Sequence, residues 1–280
     1  TVILNGTTNY ILSLMTQNKY NFDTAVKKIQ NMGIAESNIS YDISGYDTAC
    51  KLSILSSLAF FSWIKLKNIK IEGIENMELQ DVYFAETFGY KIKLLGHSSV
   101  YKNNYYFEVR KYLVPHDNIF ANINYEYNGI LIEGDSCGKI TFVGKGAGGI
   151  AAASAVVSDI IYIAKDITSA VGGREQFVEY TPKKLKIISS DEVEGFFYLR
   201  FTTIDKPGVL AKISNVLGQH NVSIASVYQK EPLVKFRKGV PILLLTHKVK
   251  EKNLIIALNK IKNLDVVLKP PVYIKILSDK

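Results

Sequence analysis

Phe196-Phe197-Tyr198-Leu199-Arg200-Phe201-Thr202, followed by Asp205-Lys206-Pro207-Gly208-Val209-Leu210, is the stretch that settles the architecture of the last third of the chain. An aromatic and β-branched run ends at a Pro-Gly turn, and helical spacing begins at Gly208. Reading onward predicts a helix over Gly208 to Leu217, strands over Ser223 to Lys230 and Pro241 to Val249, a helix over Asn253 to Ile261 and a strand over Val266 to Leu277. That order, β-α-β-β-α-β, is a ferredoxin-like small domain.

Upstream, the connection from Gly172 to Glu194 carries Gly172-Gly173-Arg174, Pro182 and Ser189-Ser190-Asp191-Glu192, and reads as an interdomain crossing. The expected organisation is a first domain over 1–172, a linker over 173–194 and a second domain over 195–280. The first opens with a strand at Val2-Ile3-Leu4, a turn, and a helix bearing Tyr10, Ile11, Leu14 and Met15. A second helix follows Asn21 and stops at Gly33, and a third starts at Ser44. The pattern then changes to strands over Ile69 to Ile71, Tyr90 to Leu95, Tyr105 to Leu113, Asn124 to Ile132 and Lys139 to Val143, before a helix from about Ile150 to Ala164.

At 280 residues, 47% hydrophobic, the chain can fill two cores. No apolar run reaches the ~18 residues of a membrane span, and Thr1-Val2-Ile3-Leu4-Asn5-Gly6 lacks a leader pattern. A cytoplasmic protein without a membrane partner is expected. Two cysteines, Cys50 and Cys137, and four scattered histidines give no disulfide framework and no metal-ligand spacing. The net charge of +8 comes from lysines interleaved with apolar positions rather than from an unbroken basic stripe, so no nucleic-acid partner is expected.

Candidate chemistry concentrates in Gly33-Ile34-Ala35-Glu36, Asp42, and Ser44-Gly45-Tyr46-Asp47-Thr48-Ala49-Cys50-Lys51. A helix puts Asp47 and Lys51 on one face, four positions apart. An acid beside an ammonium can bind a small zwitterion and exchange a proton with it. The same residues also read as a capping box, Ser44-x-x-Asp47, followed by an ordinary surface ion pair. Leu52, Ile54, Leu55, Leu58, Phe60, Phe61 and Trp63 make this helix apolar nearly all round, which predicts a buried helix with Cys50 in the core and charges at its mouth.

Gly144-Lys145-Gly146-Ala147-Gly148-Gly149 satisfies G-x-G-x-x-G between a strand and a helix. Three readings stand for it: a dinucleotide fingerprint, a structural turn, and a loop covering a cofactor held by another domain. The first needs a second strand ending in an acid about 20 residues on, and the linker follows instead.

Asn5-Gly6-Thr7-Thr8-Asn9-Tyr10-Ile11-Leu12, the Gly33 to Lys51 run, Gly89-Tyr90-Lys91-Ile92-Lys93-Leu94-Leu95 and Gly144 to Asp159 together resemble homoserine dehydrogenase, in that family's order. The tail, with Asp205 to Leu210 and Asn221-Val222-Ser223-Ile224, resembles the ACT regulatory domain. The resemblance implies an α+β protein in which a mixed-sheet catalytic and dimerisation domain precedes a ferredoxin-like ACT domain. It implies interconversion of homoserine and aspartate 4-semialdehyde with NAD or NADP, on the route to threonine and methionine. Lys51 matches the proton donor and Asp47 its acidic partner, while Glu36, Asp42 and Thr7 match substrate contacts. Gly146, Ala147 and Gly148 match cofactor contacts, and Asp205, Gly208, Leu210 and Asn221 an amino-acid effector site, for threonine or a relative.

A homodimer is implied as well. The family's nucleotide-binding domain has no counterpart in these residues, so the nucleotide is expected to be bound mainly by a domain truncated, lost or carried on a separate chain. The family's loop has proline where Lys145 stands, and tyrosine where Ile34 stands. The alternative is a non-catalytic ACT-type amino-acid sensor.

Overall fold

The computed structural model describes residues 1–36, 38–75, 77–146, 148–168, 184–229 and 239–278. The chain begins with β1 (Val2–Ile3) and α1 (Gly6–Gln17), then α2 (Phe22–Asn31), α3 (Ser40–Ile43) and α4 (Tyr46–Phe60). Asparagines start the first two helices: Asn5 Oδ1 accepts from Thr8 N and Asn21 Oδ1 from Thr24 N, each at 2.8 Å, satisfying a donor that a helix start leaves open. The helix expected from Ser44 starts differently. Gly45 takes φ +84°, a conformation glycine adopts at little cost, and caps α4 without a side-chain bond. Ser44 Oγ donates instead to Tyr41 O at 3.2 Å, so the capping box does not form.

The expected burial of α4 on all sides is also corrected. Its core face is narrow, comprising Thr48, Ala49, Leu52 and Ser56, while Ile54 and Leu58 are 62% and 61% exposed and Trp63, beyond the helix, is 71% exposed. Cys50 is half-buried with its Sγ 3.0 Å from the Tyr41 hydroxyl, not a core residue.

After β2 (Ile69–Ile71) and α5 (Leu79–Thr87), β3 (Tyr90–Tyr101) and β4 (Asn104–Pro115) form a long antiparallel ribbon. Lys102 and Asn103, both at positive φ, make the tight two-residue turn that suits the twist of such a ribbon. β5 (Tyr127–Gly134) and β6 (Gly138–Lys145) form a second hairpin, and α6 (Gly149–Thr168) follows. The helices pack one face of this sheet, joining Ile11, Leu12, Met15 and Leu52 with Ile92, Leu94, Phe107 and Val109. No residue of α6 is buried, although Ile150, Val156, Ile160 and Ile163 lie along it.

The tail contains β7 (Glu194–Thr203), α7 (Val209–Gln219), β8 (Ile224–Tyr228), β9 (Val240–Thr246), the short β10 (Val249–Lys250), α8 (Glu251–Ile261) and β11 (Val267–Ile276). Its four long strands lie in the order β11-β7-β9-β8, and Ile213, Leu217, Leu254 and Ile261 cover them from one side. This is the ferredoxin-like arrangement that the sequence pattern predicts. β11 also pairs in parallel with β4, Lys275 opposite Tyr112 and Ile276 opposite Leu113, so one sheet runs β6-β5-β1-β3-β4-β11-β7-β9-β8 through the molecule. The expected crossing lies outside the described residues up to 183. From 184 it follows β4, with Tyr105 N donating to Lys186 O and Ile188 N to Tyr105 O, each at 2.9 Å.

Candidate active site

Where β1 runs into α1, the chain delivers Asn5 to the mouth of α4. Asn5 Nδ2 donates to Asp42 Oδ1 at 2.6 Å and to Asp47 Oδ2 at 2.8 Å. Both acceptors are carboxylates, which fixes the amide's orientation. Its Oδ1 is occupied by the helix cap, so one buried asparagine joins three elements. Lys51 Nζ donates to Asp47 Oδ2 at 2.7 Å and to Leu4 O at 3.1 Å. An ammonium has three donors, and these two bonds leave one free on a side chain that is 49% exposed. Two carboxylates and one ammonium leave the cluster one unit negative, complementary to a cationic amine, beside a group able to deliver a proton.

Thr7 is half-buried in the first turn of α1, outside this hydrogen-bonded cluster. Glu36 is exposed; its backbone carbonyl accepts from Gln30 Nε2 at 3.3 Å, and its carboxylate is not part of the cluster. The glycine loop stands at the end of the β5–β6 hairpin. Gly146 N donates to Glu126 O at 3.0 Å, Gly148 takes φ +121°, and Ala147 lies outside the described residues. The Asn128 side chain packs on Gly146 so closely that a Cβ there would fall 2.0 Å from its amide nitrogen. Asn128 Oδ1 is buried and has no hydrogen-bond partner among the described residues. Asn5 and Asn128 are the residues that motif reading passes over. Asn5 does lie in the first motif, but its partners are 37 and 42 positions away.

Asp205, Gly208 and Leu210 occupy the turn into α7, where Gly208 has φ +87°. Asn221, at φ +57°, follows the other end of that helix. The 11 residues of α7 separate the two positions, by about 16 Å at the rise of an α-helix. Among the described residues no group of three or more His, Cys, Asp and Glu side chains could hold a metal, and no helix is long and apolar enough to cross a membrane.

Two cavities, of about 460 and 490 Å³, lie where β3 and β4 meet the ends of β7 and β11. Neither includes Asp42, Asp47 or Lys51; at the candidate site Asn5 is buried, Asp42 and Asp47 are half-buried and Lys51 is exposed.

Beside these cavities the two parts of the molecule are joined by buried charge. Arg110 Nη1 donates to both oxygens of Glu251 at 2.7 Å, and Lys275 Nζ to Glu108 Oε1 at 2.6 Å. Burial opposes ionisation of Glu108, but Lys275 and Arg110 outweigh it and hold its pKa at about 2. Arg200 grips Asp81 with Nε at 2.6 Å and Nη2 at 3.0 Å, tying β7 to α5.

The homoserine dehydrogenase family model matches residues 1–161 and the ACT domain model residues 197–266. A homoserine dehydrogenase of Helicobacter pylori is 40% identical over 98% of this chain and 63% of its own length. One from Neisseria gonorrhoeae is 35% identical over 99% of the chain and 64% of its own. Among solved structures, a homoserine dehydrogenase from Thiobacillus denitrificans superposes with TM-score 0.89 at 35% identity, over 99% of this chain and 63% of that one. The chain thus spans somewhat less than two thirds of the length of these relatives.

Proposed function

Because the chain belongs to the homoserine dehydrogenase family, we propose that it supplies the substrate-binding, proton-transferring and regulatory parts of an NAD- or NADP-dependent homoserine dehydrogenase. The reaction interconverts L-homoserine and L-aspartate 4-semialdehyde. The observation that carries this reading is Lys51, held by Asp47 and the Leu4 carbonyl with one donor left over.

In the reductive direction Lys51 delivers a proton to the oxygen of the aldehyde as it becomes an alcohol; in the oxidative direction it removes that proton. Its positive charge stabilises the developing alkoxide. Asp47 fixes its position, and Asp42, set by Asn5, receives the substrate's ammonium together with Glu36. Thr7 completes the substrate side.

A bound nicotinamide nucleotide would supply the hydride donor or acceptor. A buried amide oxygen without a partner, packed against a glycine, fits a ligand bearing an N–H donor such as a carboxamide. Gly146, Ala147, Gly148 and Asn128 would therefore contact the cofactor. Most of the nucleotide would be bound by a domain outside these 280 residues, on the same or a separate chain, which would also cover Lys51. A homodimer is proposed through β6 and α6, whose Phe142, Val143, Ile160 and Ile163 are exposed. The turn at Asp205, Gly208 and Leu210, with Asn221, is proposed for the amino-acid effector.

The test is calorimetric titration of the chain with homoserine, then homoserine-dependent reduction of NAD and NADP at alkaline pH, with Lys51→Ala in parallel. Binding by the wild type, with turnover lost in the variant, supports the reading; a wild type that does not bind homoserine overturns it.

A further inference from the structure

Asn9 and Lys93, two residues that the chemistry above leaves unused, meet inside the molecule. Lys93, 2% exposed, places its ammonium against Asn9 Oδ1 at 3.0 Å, Asn124 Oδ1 at 3.1 Å and the carbonyl of Ile123. Asn9 Nδ2 shares its two hydrogens among three carbonyls, Ile123 at 3.2 Å, Tyr125 at 3.0 Å and Tyr127 at 3.1 Å. Ser13 Oγ accepts from Tyr125 N at 3.0 Å and donates to Asn9 O at 2.7 Å. Segment 123–127 is therefore fastened to α1 and β3 by polar contacts along its whole length.

That segment has the glycine loop at its end and the proton-transferring cluster at its root. The Glu126 carbonyl accepts from Gly146 N at 3.0 Å, and Asn128 fills the space above Gly146. In the other direction Asn9 N donates to Asn5 O at 3.2 Å, one helical turn from the amide that joins Asp42 and Asp47. We propose that Lys93 and Asn9 are positioning residues that set the distance between the Lys51 cluster and the glycine loop, so that substrate and nucleotide meet in register. The proposal rests on reading that cluster as the homoserine site.

A purely structural role fits poorly. Among the described residues every hydrogen-bond partner of Lys93 is a neutral oxygen, so the ammonium is buried with no counter-ion among them, and burial, with Lys91 nearby, lowers its pKa to about 7. Such a group costs folding free energy, and an apolar side chain of similar length avoids that cost. Replacement removes that cost but takes the donor from Asn9 Oδ1, Asn124 Oδ1 and the Ile123 carbonyl, so the two effects on stability oppose each other while the loop is loosened. Dehydrogenation is sensitive to small misplacements of its two reactants, so loosening should appear in turnover rather than in substrate binding.

The test uses Lys93→Met, with the milder Asn124→Ala as a second variant should the first fail to fold. Amide hydrogen exchange on this chain is expected to accelerate at least tenfold at Tyr127 and Gly146, with β9 unchanged. Homoserine affinity by calorimetry should stay within threefold. In the holoenzyme, with its nucleotide-binding part present, kcat should fall at least tenfold with the homoserine KM little changed. Unchanged exchange at Gly146, exchange rising equally in β9, or an unchanged kcat overturns the proposal. Failure of the underlying reading is seen separately, as a wild type that does not bind homoserine.

Discussion

Arg110 and Glu251 are 141 positions apart in sequence, yet one Arg110 nitrogen donates to both Glu251 oxygens at 2.7 Å, joining β4 to α8 with both side chains fully buried. Glu72 and Glu108 also approach the same guanidinium, at 3.1 and 3.6 Å. Removing one member of such a group leaves a charge buried without its full complement. Glu251→Ala should therefore lower stability by about 3–5 kcal/mol in urea denaturation. A loss below about 1 kcal/mol would mean that the remaining carboxylates satisfy Arg110 unaided.

The fold is expected to be sensitive to mild acid through His97. Its ring nitrogens bond Thr1 Oγ1 at 2.9 Å and the Tyr106 hydroxyl at 3.0 Å, and burial is the main cause of a pKa lowered from 6.5 to about 4. The unfolded chain binds the proton first, so stability falls as pH drops from 6.5 to 4, by roughly 3 kcal/mol from this group. Glu108, also depressed, contributes stability that is full above its ordinary value of 4.5 and is lost as pH falls towards about 2. Urea midpoints followed against pH should show a decline across 6.5 to 4 that His97→Phe removes, leaving the lower limb in place.

Asn5→Ala takes away a helix cap and the link between two carboxylates at once. The cap alone is worth about 1 kcal/mol. Homoserine affinity should fall by an order of magnitude or more, on the order of 1.4 kcal/mol, which calorimetry would detect. Affinity within twofold of wild type would remove Asn5 from the site.

Threonine is expected to raise the melting temperature of the chain, and Asp205→Ala, on the exposed turn into α7, to abolish the rise. An equal shift from an unrelated amino acid would argue against an effector site there.

Local pattern carried much of the architecture. The strands of β3 to β6 and the whole ferredoxin-like order could be read from alternation, punctuating glycines and the Pro207-Gly208 turn. The short α3 and α5 were missed. Each lacks a side-chain cap bond and is too brief for its periodicity to stand out. The burial of α4 was overestimated because an apolar side chain announces its nature but not its partner: Ile54 and Leu58 face away from this chain's core. Asp47 and Lys51 could be paired from a four-residue spacing, whereas the role of Asn5 depends on contacts that only the fold creates. The pairing of β11 with β4 had no local signal at all.

That pairing bears on how the protein comes off the ribosome. The outer edge of β4 is covered in three places, by Ile187 beside Tyr105, by β2 along Phe107 to Val109, and by Lys275 and Ile276 beside Tyr112 and Leu113. The last of these covers is synthesised 163 positions after the residues it pairs with, Lys275 after Tyr112 and Ile276 after Leu113. Until then the nascent chain holds a long ribbon with part of its backbone unpaired, the kind of edge that recruits other strands. A chain ending before Lys275 is therefore expected to aggregate more readily than one that carries β11, through the uncovered edge at Tyr112 and Leu113.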